Sequence, residues 1–247
     1  MKRFITLLLI LILASSCSLS FAESDARPIL FRGIPWGISY HDLRKLTDLT
    51  ALETYEPVSG HSSTLTVASL IAGAAAIGDA ADDKTYNGKY YVDVADYTGD
   101  AIRTIGDIAG YQLLDIHLYF ARIPDDSGVV TQDEERTALF GAVYSLFGPP
   151  IDPDISKTND EIKEDLTAKL SSLYGEPEVI DGDPTWHGPE GTLSSLRFNL
   201  NRDYKYIIYA SEAGDEWLKA CLDAETAAEE AAQAAKEAEF SSRTNGL

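Results

Sequence analysis

Asp115 and His117 are the residues whose types and spacing come nearest to catalytic chemistry. They are two positions apart in Tyr111 to Ile123, where polar residues alternate with the apolar set Leu114, Ile116, Leu118 and Phe120. Period-two alternation predicts a strand, so the carboxylate and the imidazole project from the same face. A nearby hydroxyl would complete a nucleophilic triad. Two residues spaced this way often share a strand face by chance. The spacing alone therefore does not identify a catalytic residue.

Other catalytic and metal-binding patterns are absent from the sequence. It contains no G-x-S-x-G elbow, phosphate-binding glycine loop, H-E-x-x-H pair or Cys-x-x-Cys. The four histidines, which are His41, His61, His117 and His187, are not paired at metal-ligand spacing. The sequence therefore predicts no metal site and no cofactor, and favours a protein that is not an enzyme. A secreted hydrolase of unknown substrate is the alternative.

A contact surface is the better interpretation of this polar strand face. Asp115, His117 and Tyr119 share it, and Arg197 falls on a second predicted strand where Leu196, Phe198 and Leu200 alternate with polar residues. The chain has 13 tyrosines, a residue type that supplies contact area at low entropic cost. We therefore expect one buried sheet face and one solvated face, with Asp115, His117, Tyr119 and Arg197 as the binding residues.

Two capped helices and several strands must position these residues. Ser39 can cap a helix that carries Leu43, Leu46, Leu49 and Leu52 and stops at Tyr55-Glu56-Pro57. The preceding Pro35-Trp36-Gly37 turn reads as a structural staple. Thr158 can cap a second helix, whose apolar stripe consists of Ile162, Leu166, Leu170 and Leu173 and which ends at Gly175. Strands follow each helix. The predicted fold class is α+β, an antiparallel sheet with helices packed on one face.

The chain divides into three predicted regions. Residues 1–22 form a signal peptide, residues 27–212 an α+β domain, and residues 213–247 a C-terminal Ala/Glu-rich helix and tail. Each helix runs into a similar segment, "LTALETYEPV" or "LSSLYGEPEV", which suggests a duplicated helix-then-strands unit over residues 27–148 and 155–212. Residues 59–88 look like a mobile insertion. Cys221 lies on an apolar helix face and is predicted to be buried.

Export is the strongest prediction about location. Lys2 and Arg3 precede a short apolar core and a run of small residues, which is the order of a signal peptide. Cleavage before Glu23 would release a secreted or periplasmic protein, whereas cleavage at Cys17 would give an N-terminus lipid-anchored at the cell envelope. Only the signal or that anchor would contact a membrane. The net charge of -20 repels phosphate backbones and argues against nucleic-acid partners.

The segments 36–46 and 158–177 resemble a known group of bacterial envelope proteins. This group comprises the small outer-membrane assembly lipoproteins and the beta-lactamase inhibitor proteins, whose repeats place helices against one face of an antiparallel sheet. The resembling features are the Trp36-Gly37 turn, the capped helices and the Glu-Pro turns that follow them. The resemblance implies protein binding or scaffolding at the envelope, possible partners being other envelope proteins. It carries no functional residue across, and it leaves the ligand and the oligomeric state open.

Overall fold

The computed structural model describes residues 27–46, 54–58, 67, 92–97, 102, 105–152, 156–199 and 204–244. Within these ranges the helices are α1 (Tyr40–Leu46), α2 (Asn159–Tyr174) and α3 (Ala213–Thr244). The strands are β1 (Thr54–Val58), β2 (Val92–Tyr97), β3 (Asp107–Ile108), β4 (Tyr111–Arg122), β5 (Thr137–Pro150), β6 (Glu178–Ile180), β7 (Asp183–His187), β8 (Thr192–Asn199) and β9 (Tyr204–Ser211). The predicted signal peptide, Cys17, Leu49, Leu52 and all of the predicted insertion except Val67 lie outside the described residues. The turn expected at Tyr55-Glu56-Pro57 was wrong, because these residues belong to strand β1.

All described strand pairs are antiparallel and belong to one sheet. The strand order is β1-β2-β4-β5-β9-β8-β7-β6, and β3 pairs with the start of β4. Helix α1 is followed by β1, β2, β4 and β5, and helix α2 by β6, β7, β8 and β9, so that the last strand of each series meets the other at the centre of the sheet. The predicted α+β class is confirmed. The duplication stays a prediction, with which this strand order is consistent.

One face of the sheet, here called face A, is buried beneath α1 and α2. Thr158 caps α2 with a capping box, because its hydroxyl accepts from the Glu161 amide while the Glu161 carboxylate accepts from the Thr158 amide. The predicted stripe is buried at Ile162, Leu166 and Leu170. Leu173 was expected to complete it but is 70% exposed. It lies in the last turn of α2, next to the Gly175 cap.

The opposite face, face B, is covered in part by α3, so the expectation of a wholly solvated face was wrong. Leu218 and its partly buried neighbour Trp217 pack there against Val94, Phe140 and Ile208. Cys221 is fully buried, its thiol donates to the Arg122 carbonyl, and burial raises its pKa to about 12. Such a thiol stays protonated, which suits a packing role. From Thr226 to Ser241 every residue of α3 is exposed.

The Pro35-Trp36-Gly37 turn joins the N-terminal segment to the sheet, as expected of a structural staple. The Trp36 Nε1 donates to the Ile29 carbonyl at 2.9 Å, and the Gly37 amide donates to the Leu139 carbonyl at 2.9 Å. Gly37 has φ +82, and a Cβ there would lie 3.3 Å from the Trp217 ring. The positive φ and the close approach of α3 together favour glycine at this position.

An ionic cluster centred on Asp165 holds α2 to the start of β4. Its Oδ2 accepts from the Tyr111 hydroxyl at 2.8 Å and from Lys169 at 2.8 Å, and it lies 3.1 Å from the Lys157 amine. Burial alone would raise the pKa of Asp165, but the hydrogen bonds from these three groups lower it to about 2. A folded-state pKa below the unfolded value near 3.9 means that the charged carboxylate stabilises the fold.

We expect Asp165→Asn to lower the free energy of unfolding by about 1–2 kcal/mol at pH 7, a value reduced for solvent screening of the carboxylate. The difference from the unmodified protein should be full above about pH 4 and vanish as the pH falls toward about 2, through the folded-state pKa. Urea unfolding across this pH range measures it. A difference that does not change with pH would contradict an electrostatic role. Asp160→Asn, at an exposed site on the same helix, is the matched control.

Candidate functional site

All four predicted binding residues lie on face B, and the cross-strand register places two of them, Asp115 and Arg197, in one row. Asp115 pairs with Ser145 on β5, Ser145 pairs with Tyr206 on β9, and Tyr206 pairs with Arg197 on β8. Paired residues project from the same face, so these four form one row across the sheet. At about 4.8 Å per strand, Asp115 and Arg197 are about 14 Å apart. The row is therefore a broad surface rather than a convergent site.

Asp115 and His117 form a close acid–base pair at one end of this row. The His117 Nε2 lies 2.9 Å from the Asp115 Oδ1, and the two side chains are 15% and 18% exposed. A β-bulge between Leu113 and Asp115 turns Leu113 into the core and leaves Leu114 38% exposed. The simple alternation predicted that Leu114 would be buried and Leu113 would not. This was wrong, because the extra residue of a bulge shifts the side chains before it to the other face of the sheet.

The pair does not form a triad with the nearest hydroxyl. Ser145 lies opposite Asp115 on the neighbouring strand but is only 3% exposed. The His117 Nε2 and the Asp115 Oδ1 are both buried, and their 2.9 Å contact lacks the alignment of a hydrogen bond. A nucleophile needs its base within hydrogen-bond reach and a path for substrate. What the geometry supports is an imidazole with a carboxylate beside it.

Three aromatic rings lie in the middle of this part of face B. The Phe147 and Tyr204 ring centroids are 5.5 Å apart, and those of Tyr204 and Tyr206 are 6.4 Å apart. Phe147 is 43% exposed, whereas Tyr206 is buried. The sequence analysis did not single out Phe147. The sequence feature that could have indicated Phe147 is its position two residues beyond Ser145, on the same strand face and near the end of a long strand.

A second acid–base pair lies at the other end of the row. The Arg197 Nε is 3.9 Å from the Asp183 Oδ2, and the side chains are 44% and 25% exposed. Burial raises the pKa of Asp183, against the opposing effect of the Lys163 and Arg197 cations. Asp183 was missed because its short strand contains Pro184, a residue that is uncommon within strands.

Tyr119, the fourth predicted binding residue, is on face B but is only 3% exposed, within the part that α3 covers. It is therefore a packing residue rather than one that a partner could reach. We define the contact patch as the accessible aromatic rings of this part of face B and the charged pairs on either side of them. Its residues are Asp115, His117, Phe147, Tyr204, Arg197 and Asp183.

The described part of the chain contains no group of three or more His, Cys, Asp or Glu residues placed to hold a metal ion. Within the same residues, no helix combines the length and apolar character needed to cross a membrane. Comparisons with protein-family models, with curated proteins and with solved structures found no match for this chain.

Proposed function

We propose that this chain is a non-catalytic extracytoplasmic binding or envelope assembly protein, and that the contact patch is where it binds another protein. The observation that carries the proposal is the exposed Phe147 ring beside Tyr204, with the Asp115–His117 pair on one side and the Arg197–Asp183 pair on the other. Aromatic rings surrounded by charged groups are typical of protein interfaces.

The proposed location rests on the sequence. The charged, apolar and small-residue regions before Glu23 have the order of an export signal, and the acidic surface argues against nucleic acid. The suggested likeness to envelope assembly lipoproteins and beta-lactamase inhibitor proteins agrees with a protein-binding role. Intact mass of the mature protein from membrane and medium fractions distinguishes an acylated chain that begins at Cys17 from a released chain that begins at Glu23.

A photocrosslinker at Phe147 tests the binding role. With benzoylphenylalanine at this position in the exported protein, we expect one discrete crosslinked species, which should disappear when Tyr204→Ala removes the neighbouring ring. Leu173 is the matched control position, because it is 70% exposed but lies on α2, which packs on face A. Equal crosslinking from both positions, no crosslinking from Phe147, or persistence of the species in the Tyr204→Ala protein would contradict the proposal.

A secreted hydrolase is the second candidate, favoured by the 2.9 Å Asp115–His117 contact beside Ser145. It requires hydrolysis of a simple ester such as p-nitrophenyl acetate at a rate that both His117→Ala and Ser145→Ala abolish. The binding role requires instead that neither variant changes the rate above that of the buffer.

A further inference from the structure

The contact patch has a charge imbalance that bears on its partner. On strands β4 to β9, face B carries the carboxylates of Asp115, Glu178 and Asp183 and the guanidinium of Arg197. Two of the carboxylates pair with histidines, because Glu178 lies 3.8 Å from His187 and Asp115 lies 2.9 Å from His117. With neutral histidines the face is therefore net negative, as is the whole chain at -20.

Asp183 lies near two cations, Lys163 and Arg197, and its contact with Arg197 is loose. At 3.9 Å the Arg197 Nε is beyond hydrogen-bond distance of the carboxylate, and the Asp183 side chain is 25% exposed. Burial raises the pKa of this group, so its charged form is less stable than in water. A further cation in hydrogen-bond contact would stabilise it, and the exposed part of the carboxylate gives that cation access.

We propose that the contact patch binds a basic protein segment, whose Arg or Lys side chains pair with Asp183 and Asp115 while an apolar side chain covers Phe147. This inference rests on the proposed binding role and adds the chemical class of the partner. The exposed Phe147 ring and its Tyr204 neighbour suit a guanidinium as well as an apolar group, because a cation is attracted to an aromatic face. An acidic partner would meet the two carboxylates of the patch, Asp115 and Asp183, with Arg197 as the fixed cation on these strands.

Two synthetic peptides test the partner class against the full mature protein. Both have 15 residues and the same leucine and alanine positions, but one carries four arginines and the other four glutamates. We expect the arginine peptide to bind, as measured by fluorescence anisotropy at 0.15 M salt, and the glutamate peptide not to bind. Binding of both peptides, or of neither, would overturn the inference.

Matched charge variants separate the patch from the general acidity of the protein. Asp115→Asn with Asp183→Asn should weaken binding of the arginine peptide about tenfold, corresponding to about 1.4 kcal/mol. Asp160→Asn with Glu164→Gln removes the same two charges from exposed positions on α2, which packs on face A, and should weaken binding less than twofold. Equal weakening by the two double variants would overturn the inference. Circular dichroism spectra and melting temperatures confirm that the variants compared are folded.

The Phe147 crosslinking tests the binding role and the peptide experiment tests the class of partner, so a negative result in one can be told from a negative result in the other. Crosslinking from Phe147 that Tyr204→Ala abolishes, together with no preference for the arginine peptide, keeps the binding role and rejects the basic partner. Absence of crosslinking rejects the binding role itself.

Discussion

Replacing Trp186 by alanine is expected to lower the free energy of unfolding by about 3–5 kcal/mol, the largest stability effect we predict for a side-chain truncation. Trp186 lies on β7, is 1% exposed, and belongs to the face A core together with Leu166 and Leu170 of α2. Its Nε1 also donates to the Gly175 carbonyl at 3.0 Å, which ties β7 to the end of α2. Alanine removes the ring, leaves a cavity and deprives that carbonyl of its donor.

Urea unfolding followed by circular dichroism measures this effect, and two further variants separate its causes. Trp186→Phe keeps an aromatic ring but loses the N–H, so we expect a smaller loss that still exceeds about 1 kcal/mol. Leu173→Ala, at an exposed position on the neighbouring helix, should change stability by less than about 0.5 kcal/mol. A loss at Trp186→Ala no greater than that of Leu173→Ala would contradict the core role. If the alanine protein does not fold, the phenylalanine variant still gives a measurable difference.

The strand that carries Trp186 shows what the sequence could not predict. The longer strand β8 was predicted, because Leu196 and Phe198 alternate with polar residues along its eight positions and give a clear pattern. Strands β6 and β7 have three and five residues, and β7 contains Pro184, so neither gives such a pattern. Their hairpin turn is formed by Asp181 and Gly182, both at positive φ, which is a recognisable turn signal only once the flanking strands are known.

The candidate site was predictable in part for a related reason. Alternation correctly placed Asp115, His117 and Tyr119 on one strand face, since that assignment depends only on the period of the strand. Which part of that face is accessible depends on α3, whose amphipathic start showed that it docks but not against which face. The burial of Tyr119 and the loose Asp183–Arg197 contact are tertiary effects of this kind.

The docking of α3 on face B depends on Gly214, and we expect Gly214→Val to lower the free energy of unfolding by about 2–3 kcal/mol. A Cβ at this position would lie 2.6 Å from the Phe140 Cβ and 2.8 Å from the Val67 Cγ2. The Phe140 Cβ is fixed by its strand and cannot rotate away, so the helix must move. Alanine in place of a helical glycine normally raises the free energy of unfolding by about 0.5–1 kcal/mol. Because of the collision, we expect Gly214→Ala to lower the free energy of unfolding instead.

A double-mutant cycle distinguishes this collision from a general weakness of the helix. In a Phe140→Gly protein both the Cβ and the Cγ that approach position 214 are gone, so Gly214→Ala should cost less there than in the unmodified protein. Ala227→Val, in the exposed half of α3, is the control for valine in a helix and should cost less than about 1 kcal/mol. If Gly214→Ala stabilises the protein, the first turn of α3 does not pack on Phe140. The covered part of face B would then be accessible, Tyr119 included, and the contact patch would extend across most of the sheet.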